Sequence, residues 1–150
     1  MDGLLIRPYD SRDKEAVIEL WLACNLVVPQ NNPEQDIERK LHVNPEWFLV
    51  GLQGDKIVAT CMAGYEGHRG WINYLAVSPQ LRRQGIARKM MLAAESRLLA
   101  AGCPKINLQV RVSNTDVIEF YKCIGYSDDH VIGLGKRLEP DEPHKTEDKR

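Results

Sequence analysis

The order of predicted elements indicates an α+β fold, an α/β sandwich built about one mixed central sheet. Three observations predict it. Some apolar residues alternate in short runs typical of strands, others recur at the i, i+3, i+4 spacing of helices, and turn-forming residues separate the runs. The resulting order is strand, helix, helix, three strands, helix, strand, helix and strand. It predicts about six strands and four helices in a single domain.

The first strand and first helix follow from the opening residues. The apolar run at residues 4–6 breaks at Pro8, which lacks a backbone donor. Asp10 or Ser11 is suited to cap the helix that follows. That helix carries a half-buried apolar stripe formed by Val17, Leu20, Trp21 and Cys24. A second, short helix has its N-cap, N1 and N3 positions filled by Asn32, Pro33 and Gln35.

Three strand-like runs form the middle of the chain, over residues 47–52, 56–65 and 70–77. Short turns at 53–55 and 67–69 separate them, which predicts an antiparallel meander. A long helix begins at about Gly85 and ends before Gly102. Its predicted buried stripe contains Ala87, Met90, Met91, Ala94 and Leu98.

The last part of the sequence predicts a strand, a helix and a strand. Ile106, Leu108 and Val110 alternate with polar residues, and Asn114 is placed to cap a helix with an apolar face. Residues 131–138 predict the final strand. Residues 139–150 are charged and have no apolar residue to bury, so we expect one domain over 1–138 and a flexible tail over 139–150.

Composition and charge exclude several classes of function. A hydrophobic fraction of 43% and a charged fraction of 27% are ordinary for a globular protein. The formal net charge of -1 gives no overall attraction to nucleic acid or to an anionic membrane. No apolar run is long enough to span a membrane, and the N-terminus lacks a secretory pattern. We expect a cytoplasmic protein with neither a nucleic-acid nor a membrane partner.

The cysteines predict neither a metal site nor a disulfide framework. Cys24, Cys61, Cys103 and Cys123 are scattered, with no C-x-x-C pair and no histidine at zinc-ligand spacing. We interpret them as reduced and mostly buried thiols. A catalytic cysteine is the less favoured alternative.

The strand-loop-helix junction at residues 71–87 carries the strongest functional signal. Such a junction directs unpaired backbone N–H groups and the positive end of a helix dipole at one point, where a pyrophosphate fits. Small residues at 85 and 87 let an anion approach, and the arginines at 82, 83 and 88 add charge. By itself the fragment favours an ordinary helix start that has a solvated basic face. A nucleotide or RNA contact is a further alternative, which the near-neutral charge disfavours.

The hexapeptide at residues 82–87 resembles the Gln/Arg-x-x-Gly-x-Gly/Ala signature of the GNAT acetyltransferase superfamily. Residues 75–79 resemble the family's fourth strand and the loop after it, and Asn114 with residues 120–121 and 125–126 resembles its later motif. The likeness covers residues 4–138. Within the superfamily, residues 32–34, 36–40, 67–70 and 133–138 resemble the small bacterial YpeA-type proteins.

This resemblance implies a GNAT-like fold that binds acetyl-CoA as the acyl donor, without a metal. The fourth strand is then bulged and splayed from the fifth, and the pantetheine arm lies along it. The residues that the resemblance places against this arm are Leu75, Ala76 and Val77. Those that it places around the pyrophosphate are Arg82, Arg83, Gln84, Gly85, Ile86, Ala87 and Arg88.

Two residues of the fourth helix complete the implied donor site. The resemblance assigns Asn114 to a polar contact with the pantetheine and Tyr121 to protonating the departing CoA thiolate. They are two helical turns apart and therefore project from nearly the same face. Each also has an ordinary explanation, because asparagine is a good N-cap and Tyr121 lies on the apolar stripe.

The acceptor side is less well specified. Glu66, at the end of the third strand, is our leading candidate for the general base, and it is also a candidate for substrate binding. Asp36 and Glu38 are alternatives that are better suited to bind a cationic substrate. Each of the three is equally consistent with a solvated surface acid. His68 is able to shuttle a proton but is more simply a turn residue.

The function that we predict is direct transfer of the acetyl group of acetyl-CoA to a primary amine. The alternative is a non-catalytic module of the same fold that binds or senses acyl-CoA. The sequence leaves open whether the amine belongs to a small molecule or a protein. It also leaves the oligomeric state open, a homodimer included.

Overall fold

In the described part of the chain, the sheet contains five strands in the order in which they occur in the sequence. The structure, a computed structural model, describes residues 3–142. The strands and helices of that part are β1 (Leu4–Pro8), α1 (Lys14–Ala23), α2 (Pro33–Lys40), β2 (Phe48–Gln53), β3 (Lys56–Tyr65), β4 (Gly70–Val77), α3 (Ile86–Ala100), β5 (Ile106–Asn107) and α4 (Thr115–Cys123). Within residues 3–142, no helix combines the length and the apolar character that crossing a membrane requires.

The sheet is mixed. β1 to β4 pair with their neighbours in antiparallel fashion, whereas β4 and β5 are parallel. The contact between β4 and β5 is short, because only Gly70 and Trp71 pair, with Ile106 and Asn107. The predicted α+β class and the predicted meander are therefore confirmed.

Helices cover both faces of the sheet. On the face covered by α1 and α2, called here the α1 face, the buried core residues are Val17, Leu20, Trp21, Ile37, Phe48, Val50, Leu52, Met62 and Ala76. On the opposite face, the α3 face, α3 contributes Ile86, Met90, Met91, Ala94 and Leu98, and α4 contributes Tyr121. The stripes predicted for α1 and α3 are therefore largely the buried ones.

Side-chain caps fix the start of α2 and the start of the turn that precedes α1. The Asn32 side chain accepts from the N–H groups of Glu34 and Gln35, at 2.9 and 3.1 Å, as predicted. Asp10 caps a 3-10 turn that leads into α1. The prediction that Asn114 caps α4 is confirmed for its position but not for its side chain. Asn114 occupies the N-cap position, but its side chain makes no cap hydrogen bond.

The prediction of a sixth strand over residues 131–138 is wrong. These residues form neither helix nor strand, and their apolar side chains are exposed, with Leu134 at 91%. A strand needs a neighbour with free backbone groups, and β5 extends over only two residues. Gly133 and Gly135 further weaken the extended conformation.

The chain returns to α2 after this segment. The Asn32 N–H donates to Asp141 at 3.1 Å, and the Asn32 side chain donates to the Glu142 carbonyl at 2.8 Å. Arg39 donates to Asp141 at 2.7 Å. These contacts involve residues 139–142 of the predicted flexible tail, whereas residues 143–150 lie outside the described residues.

Candidate active site

A β-bulge in β4 shapes the centre of the candidate site. Thr60 pairs with Ala76, but Met62 pairs with Asn73, so β4 advances by three residues while β3 advances by two. Tyr74 lies within this step and has a φ of 51°, in the left-handed region. The bulge that the family resemblance implied for this strand is present.

The bulge changes the face on which side chains lie. Alternation in a regular strand places residues an odd number of positions apart on opposite faces. Here Ile72 and Leu75 both contribute to the α3 face, whereas Tyr74 and Ala76 contribute to the α1 face. The extra residue thus directs Leu75 and Val77 toward α3 and α4.

Contacts on the α1 face hold Tyr74 in its left-handed conformation. Its ring stacks on Trp21 with centroids 3.8 Å apart, and its hydroxyl donates to Asp36 Oδ2 at 2.5 Å. Its carbonyl accepts from Thr60 Oγ1 at 2.8 Å, and Thr60 Oγ1 in turn accepts from the indole N–H of Trp21 at 2.9 Å. Burial, and then the bond to Asp36, raise the pKa of Tyr74.

β4 and β5 part beyond their two paired residues. From Ile72 to Val77 the edge of β4 that points away from β3 has no strand partner within residues 3–142. Leu75, Ala76 and Val77, which the resemblance placed against the pantetheine, lie along this edge. Free N–H and C=O groups on such an edge are able to bind an extended ligand.

The loop before α3 presents backbone N–H groups to solvent. Arg83 and Gly85 have φ values of 67° and 79°, and α3 begins without a side-chain cap. Left-handed residues in such a turn gather N–H groups into an anion-binding concavity at the positive end of the helix. A Cβ atom on Gly85 would meet nothing within 4 Å, so its positive φ, not a lack of space, calls for glycine.

The arginines of this loop differ in their contacts. Arg82 turns back to the end of β4, where its Nε donates to the Val77 carbonyl at 3.4 Å and its Nη2 lies 3.7 Å from Cys24 Sγ. Arg83, Gln84 and Arg88 are exposed, while Ile86 is buried and anchors the first turn of α3. Arg83 and Arg88 therefore remain available at the rim of the loop.

Tyr121 is buried on the α3 face. It is 8% exposed, and its ring contacts Phe120 and Tyr126 edge to face. No hydrogen-bond partner for its hydroxyl is present within residues 3–142, which is unusual for a buried polar group. Burial, and then the nearby Cys61, raise the pKa of Tyr121. Asn114 lies at the exposed start of the same helix.

The cysteines do not form a reactive site. Burial raises the pKa of Cys61 to about 12, so its thiol stays protonated at neutral pH. Cys103 is also buried, Cys24 is partly buried and Cys123 is exposed, and all four are free. The less favoured alternative of a catalytic cysteine gains no support from Cys61.

Glu66 lies in the β3–β4 turn. Its carboxylate accepts from the backbone N–H groups of His68 and Arg69, and these bonds hold the pKa of Glu66 below its usual value. It precedes Gly70, and the six residues of strand from Gly70 to Leu75 span roughly 16 Å. The structure thus places both Glu66 and His68 at the far end of β4 from the bulge.

Asp36 and Glu38 lie on different sides of α2. Asp36 faces the sheet, where it accepts from Tyr74 and lies 3.5 Å from the Arg39 guanidinium. Glu38 is exposed and, two positions further along the helix, points roughly 200° away. Of the predicted acceptor-side acids, only Asp36 contacts the bulged strand.

Residues that the sequence analysis missed support this geometry. Trp21 and Thr60 hold the bulge, and Glu95 of α3 accepts from the Tyr126 hydroxyl at 2.6 Å. Trp21 was placed in the core by its helical spacing, but its indole N–H gave no indication of a partner 39 residues away. These long-range contacts leave no local pattern in the sequence.

Comparison with known proteins identifies the family. The family model described as Acetyltransferase (GNAT) family matches residues 14–126. An acetyltransferase of Pectobacterium atrosepticum is 48% identical over 133 residues, covering 89% of this chain and 94% of that protein. The GNAT resemblance is thereby confirmed.

Solved structures share the fold. Ard1 from Thermoplasma volcanium has a TM-score of 0.73 at 23% identity and covers 83% of each chain. AAC(6')-Iy, solved with the bisubstrate analog CoA-S-monomethyl-acetylneamine, has a TM-score of 0.72 at 16% identity, over 90% of this chain and 99% of that one. The fold and the sequence relatives agree, and this chain belongs to the GNAT family of acetyltransferases.

Proposed function

We propose that this acetyltransferase moves the acetyl group of acetyl-CoA directly onto a primary amine. One observation carries the proposal. Tyr121 is buried on the face of β4 to which the bulge directs Leu75 and Val77, and its hydroxyl has no hydrogen-bond partner within residues 3–142. A buried phenol of this kind is suited to donate to a ligand sulfur or oxygen in the gap between β4 and β5.

Three parts of the structure fit the three parts of acetyl-CoA. The uncapped start of α3, with left-handed Arg83 and Gly85, suits the pyrophosphate. The unpaired edge of β4 suits the amide groups of the pantetheine arm. The hydroxyl of Tyr121 suits the thioester end. The exposed Asn114 side chain makes no cap hydrogen bond and suits a further polar contact with the pantetheine.

The proposed transfer needs no covalent enzyme intermediate. A neutral amine attacks the thioester carbonyl carbon, a C–N bond forms, and the C–S bond breaks. A backbone N–H at the bulge of β4 stabilises the charge that develops on the carbonyl oxygen. The CoA sulfur leaves with the bonding electron pair and takes a proton from the Tyr121 phenol, and the proton that the nitrogen loses restores the phenol, directly or through water. The products are an acetylated amine and CoA.

Tyr121 is the proposed donor to the departing sulfur. Because burial raises its pKa, the phenol stays protonated throughout the neutral range and is always able to donate. A thiolate, whose thiol has a pKa of about 8.5, is a weaker base than the phenolate of Tyr121. The phenol therefore acts first by donating a hydrogen bond to the sulfur. Proton transfer then follows where the closed site disfavours a free thiolate.

Asp36 supports an acceptor site beside the bulge. It is half-buried, and its carboxylate lies against Tyr74 on the α1 face. An amine is mostly protonated at neutral pH and must lose a proton before it attacks. We propose that Asp36 attracts the cation to this side of β4. The contacts of Glu66 with its own turn favour a structural part for that residue over general base catalysis.

A screen for thiol release from acetyl-CoA tests the proposal. The panel contains aminoglycosides, polyamines, amino acids, lysine peptides and peptides with free N-termini. We expect at least one amine to accelerate thiol release, with an acetylated product of matching mass. Calorimetry with acetyl-CoA runs in parallel.

The two measurements separate the two candidate functions. Tight binding of acetyl-CoA without turnover for any amine would support the acyl-CoA-sensing alternative. Absence of binding would refute both.

A further inference from the structure

A hydrogen bond between α3 and the end of α4 lies outside the donor site described above. The Tyr126 hydroxyl donates to Glu95 Oε2 at 2.6 Å. Both residues are partly buried, and burial with the bond to Glu95 raises the pKa of Tyr126. A short bond to a carboxylate in a partly buried place is stronger than a neutral surface hydrogen bond.

Tyr126 also contacts Tyr121 twice. Gly125, with a φ of 103°, ends α4 and turns the chain back, so that the Tyr126 N–H donates to the Tyr121 carbonyl at 2.9 Å. The two rings then meet edge to face with centroids 5.6 Å apart. Tyr126 is therefore fixed to Tyr121 by both backbone and ring.

The other contacts that fix the position of α4 are apolar and come from the partly buried Val117, Phe120 and Ile124. Tyr121 is the single buried residue of this helix, and its hydroxyl has no partner within residues 3–142. Its ring is bounded by Phe120 and Tyr126, and the titratable group that faces it from the sheet is Cys61. The bond to Glu95 thus ties the Tyr121 end of α4 to α3.

We propose that Glu95 and Tyr126 are positioning residues that hold the Tyr121 phenol in line with the thioester sulfur. This inference rests on the proposed function of Tyr121. Through the pair, the helix whose start suits the pyrophosphate also sets the place of the phenol. Loss of the bond leaves acetyl-CoA binding intact but lets the phenol move, and small displacements of a catalytic group lower turnover.

Two variants remove the bond from opposite ends. Tyr126→Phe keeps the ring, and Glu95→Ala removes the acceptor, so one of them remains informative if the other folds poorly. Glu95→Gln retains an oxygen able to accept and serves as the rescue variant. Tyr65→Phe is the matched control, because the Tyr65 hydroxyl bonds to the Gly67 and Gly102 carbonyls, away from α4.

Turnover is measured with the best amine of the screen, or as acetyl-CoA hydrolysis if no amine is accepted. We expect Tyr126→Phe and Glu95→Ala to lower kcat about 5- to 20-fold, with the KM for acetyl-CoA changed less than about twofold. Glu95→Gln should stay within about threefold of the unsubstituted protein, and Tyr65→Phe should match it. Unchanged kcat in both Tyr126→Phe and Glu95→Ala would overturn the inference.

A double variant separates this inference from the proposed function. If the pair acts through Tyr121, adding Tyr126→Phe to Tyr121→Phe lowers kcat no further. If the kcat losses of the two single variants multiply in the double variant and the KM for acetyl-CoA rises, Tyr126 has a general structural role and the inference is overturned. If Tyr121→Phe alone retains full kcat, the proposed function of Tyr121 fails. If Tyr121→Phe lowers kcat but Tyr126→Phe does not, the positioning role of Tyr126 is refuted and the proposed function of Tyr121 stands.

Discussion

Tyr74 and Tyr121 lie on opposite faces of the bulged strand, and their hydroxyl groups have opposite surroundings. The Tyr74 hydroxyl donates to Asp36, and its ring stacks on Trp21. The Tyr121 hydroxyl is buried without a partner in the described part of the chain. Burial raises the pKa of both phenols, so both remain protonated at neutral pH.

The difference separates residues that build the site from residues that are available to a ligand. Tyr74, with its polar group satisfied, holds the left-handed bulge in place. The Tyr121 hydroxyl has no acceptor within residues 3–142, which is costly for a buried donor unless a ligand accepts from it. Substitutions at the two tyrosines should therefore affect different measurements.

The largest effect is expected for Tyr121→Phe. We expect kcat to fall about 10- to 100-fold, or about 1.4 to 2.7 kcal/mol, because the departing sulfur loses its donor. The free energy of unfolding should rise by about 1 kcal/mol, since the substitution removes a buried donor that has no protein acceptor. Steady-state kinetics and urea denaturation check both parts. Full activity in this variant would remove the contrast with Tyr74.

Tyr74→Phe should give the reverse pattern. The ring stack on Trp21 remains, but Asp36 loses its donor, and we expect the free energy of unfolding to fall by about 1 to 3 kcal/mol. Because the stack retains the bulge, kcat should stay within about threefold. Urea denaturation and kinetics on the same preparation provide the comparison. Loss of activity without loss of stability would assign Tyr74 to the chemistry instead.

Gly85→Ala tests the loop before α3, which is proposed to bind the pyrophosphate of acetyl-CoA. A residue with a Cβ atom at a φ of 79° costs about 1 kcal/mol, so the loop relaxes and its N–H groups move. We expect the Kd for acetyl-CoA, measured by calorimetry, to rise about fivefold. Gly135→Ala is the control, because its φ is not positive and a Cβ there meets nothing within 4 Å. Equal affinities for the two variants would argue against this loop as the pyrophosphate site.

The smallest effect is expected for Glu66→Gln. The amide oxygen still accepts from the N–H groups of His68 and Arg69, so the turn should survive. We expect kcat to change less than about twofold between pH 6 and 9. A tenfold loss, with the acidic limb of the pH profile removed, would restore Glu66 as the general base.

Local signals made much of the fold predictable. The bounds of β3 and β4 agree with the predicted runs, because Gly54 and Gly67 adopt positive φ in the turns that bound them. Asn32 was recognisable as a cap from its place before Pro33. The segment 131–138 was not predictable, because its apolar residues have the spacing of a strand but no neighbour to pair with.

Of the candidate site, only the part that is proposed to bind acetyl-CoA was predictable from the sequence. Gly85 and its neighbours form a contiguous motif, and Tyr121 follows Asn114 at helical spacing. The bond from Tyr74 to Asp36 joins residues 38 positions apart, and no spacing rule indicates it. The same holds for the left-handed conformation of Tyr74, which is rare for an aromatic residue.

The contact between Asp141 and the start of α2 sets an order of assembly. Asn32 and Arg39 bind a residue that is 109 and 102 positions later in the chain. During synthesis the sheet and α3 are complete well before residue 141 emerges. The helix α2, which carries Asp36, should therefore be the last part of the enzyme to reach its final position, after the proposed acetyl-CoA site has already formed.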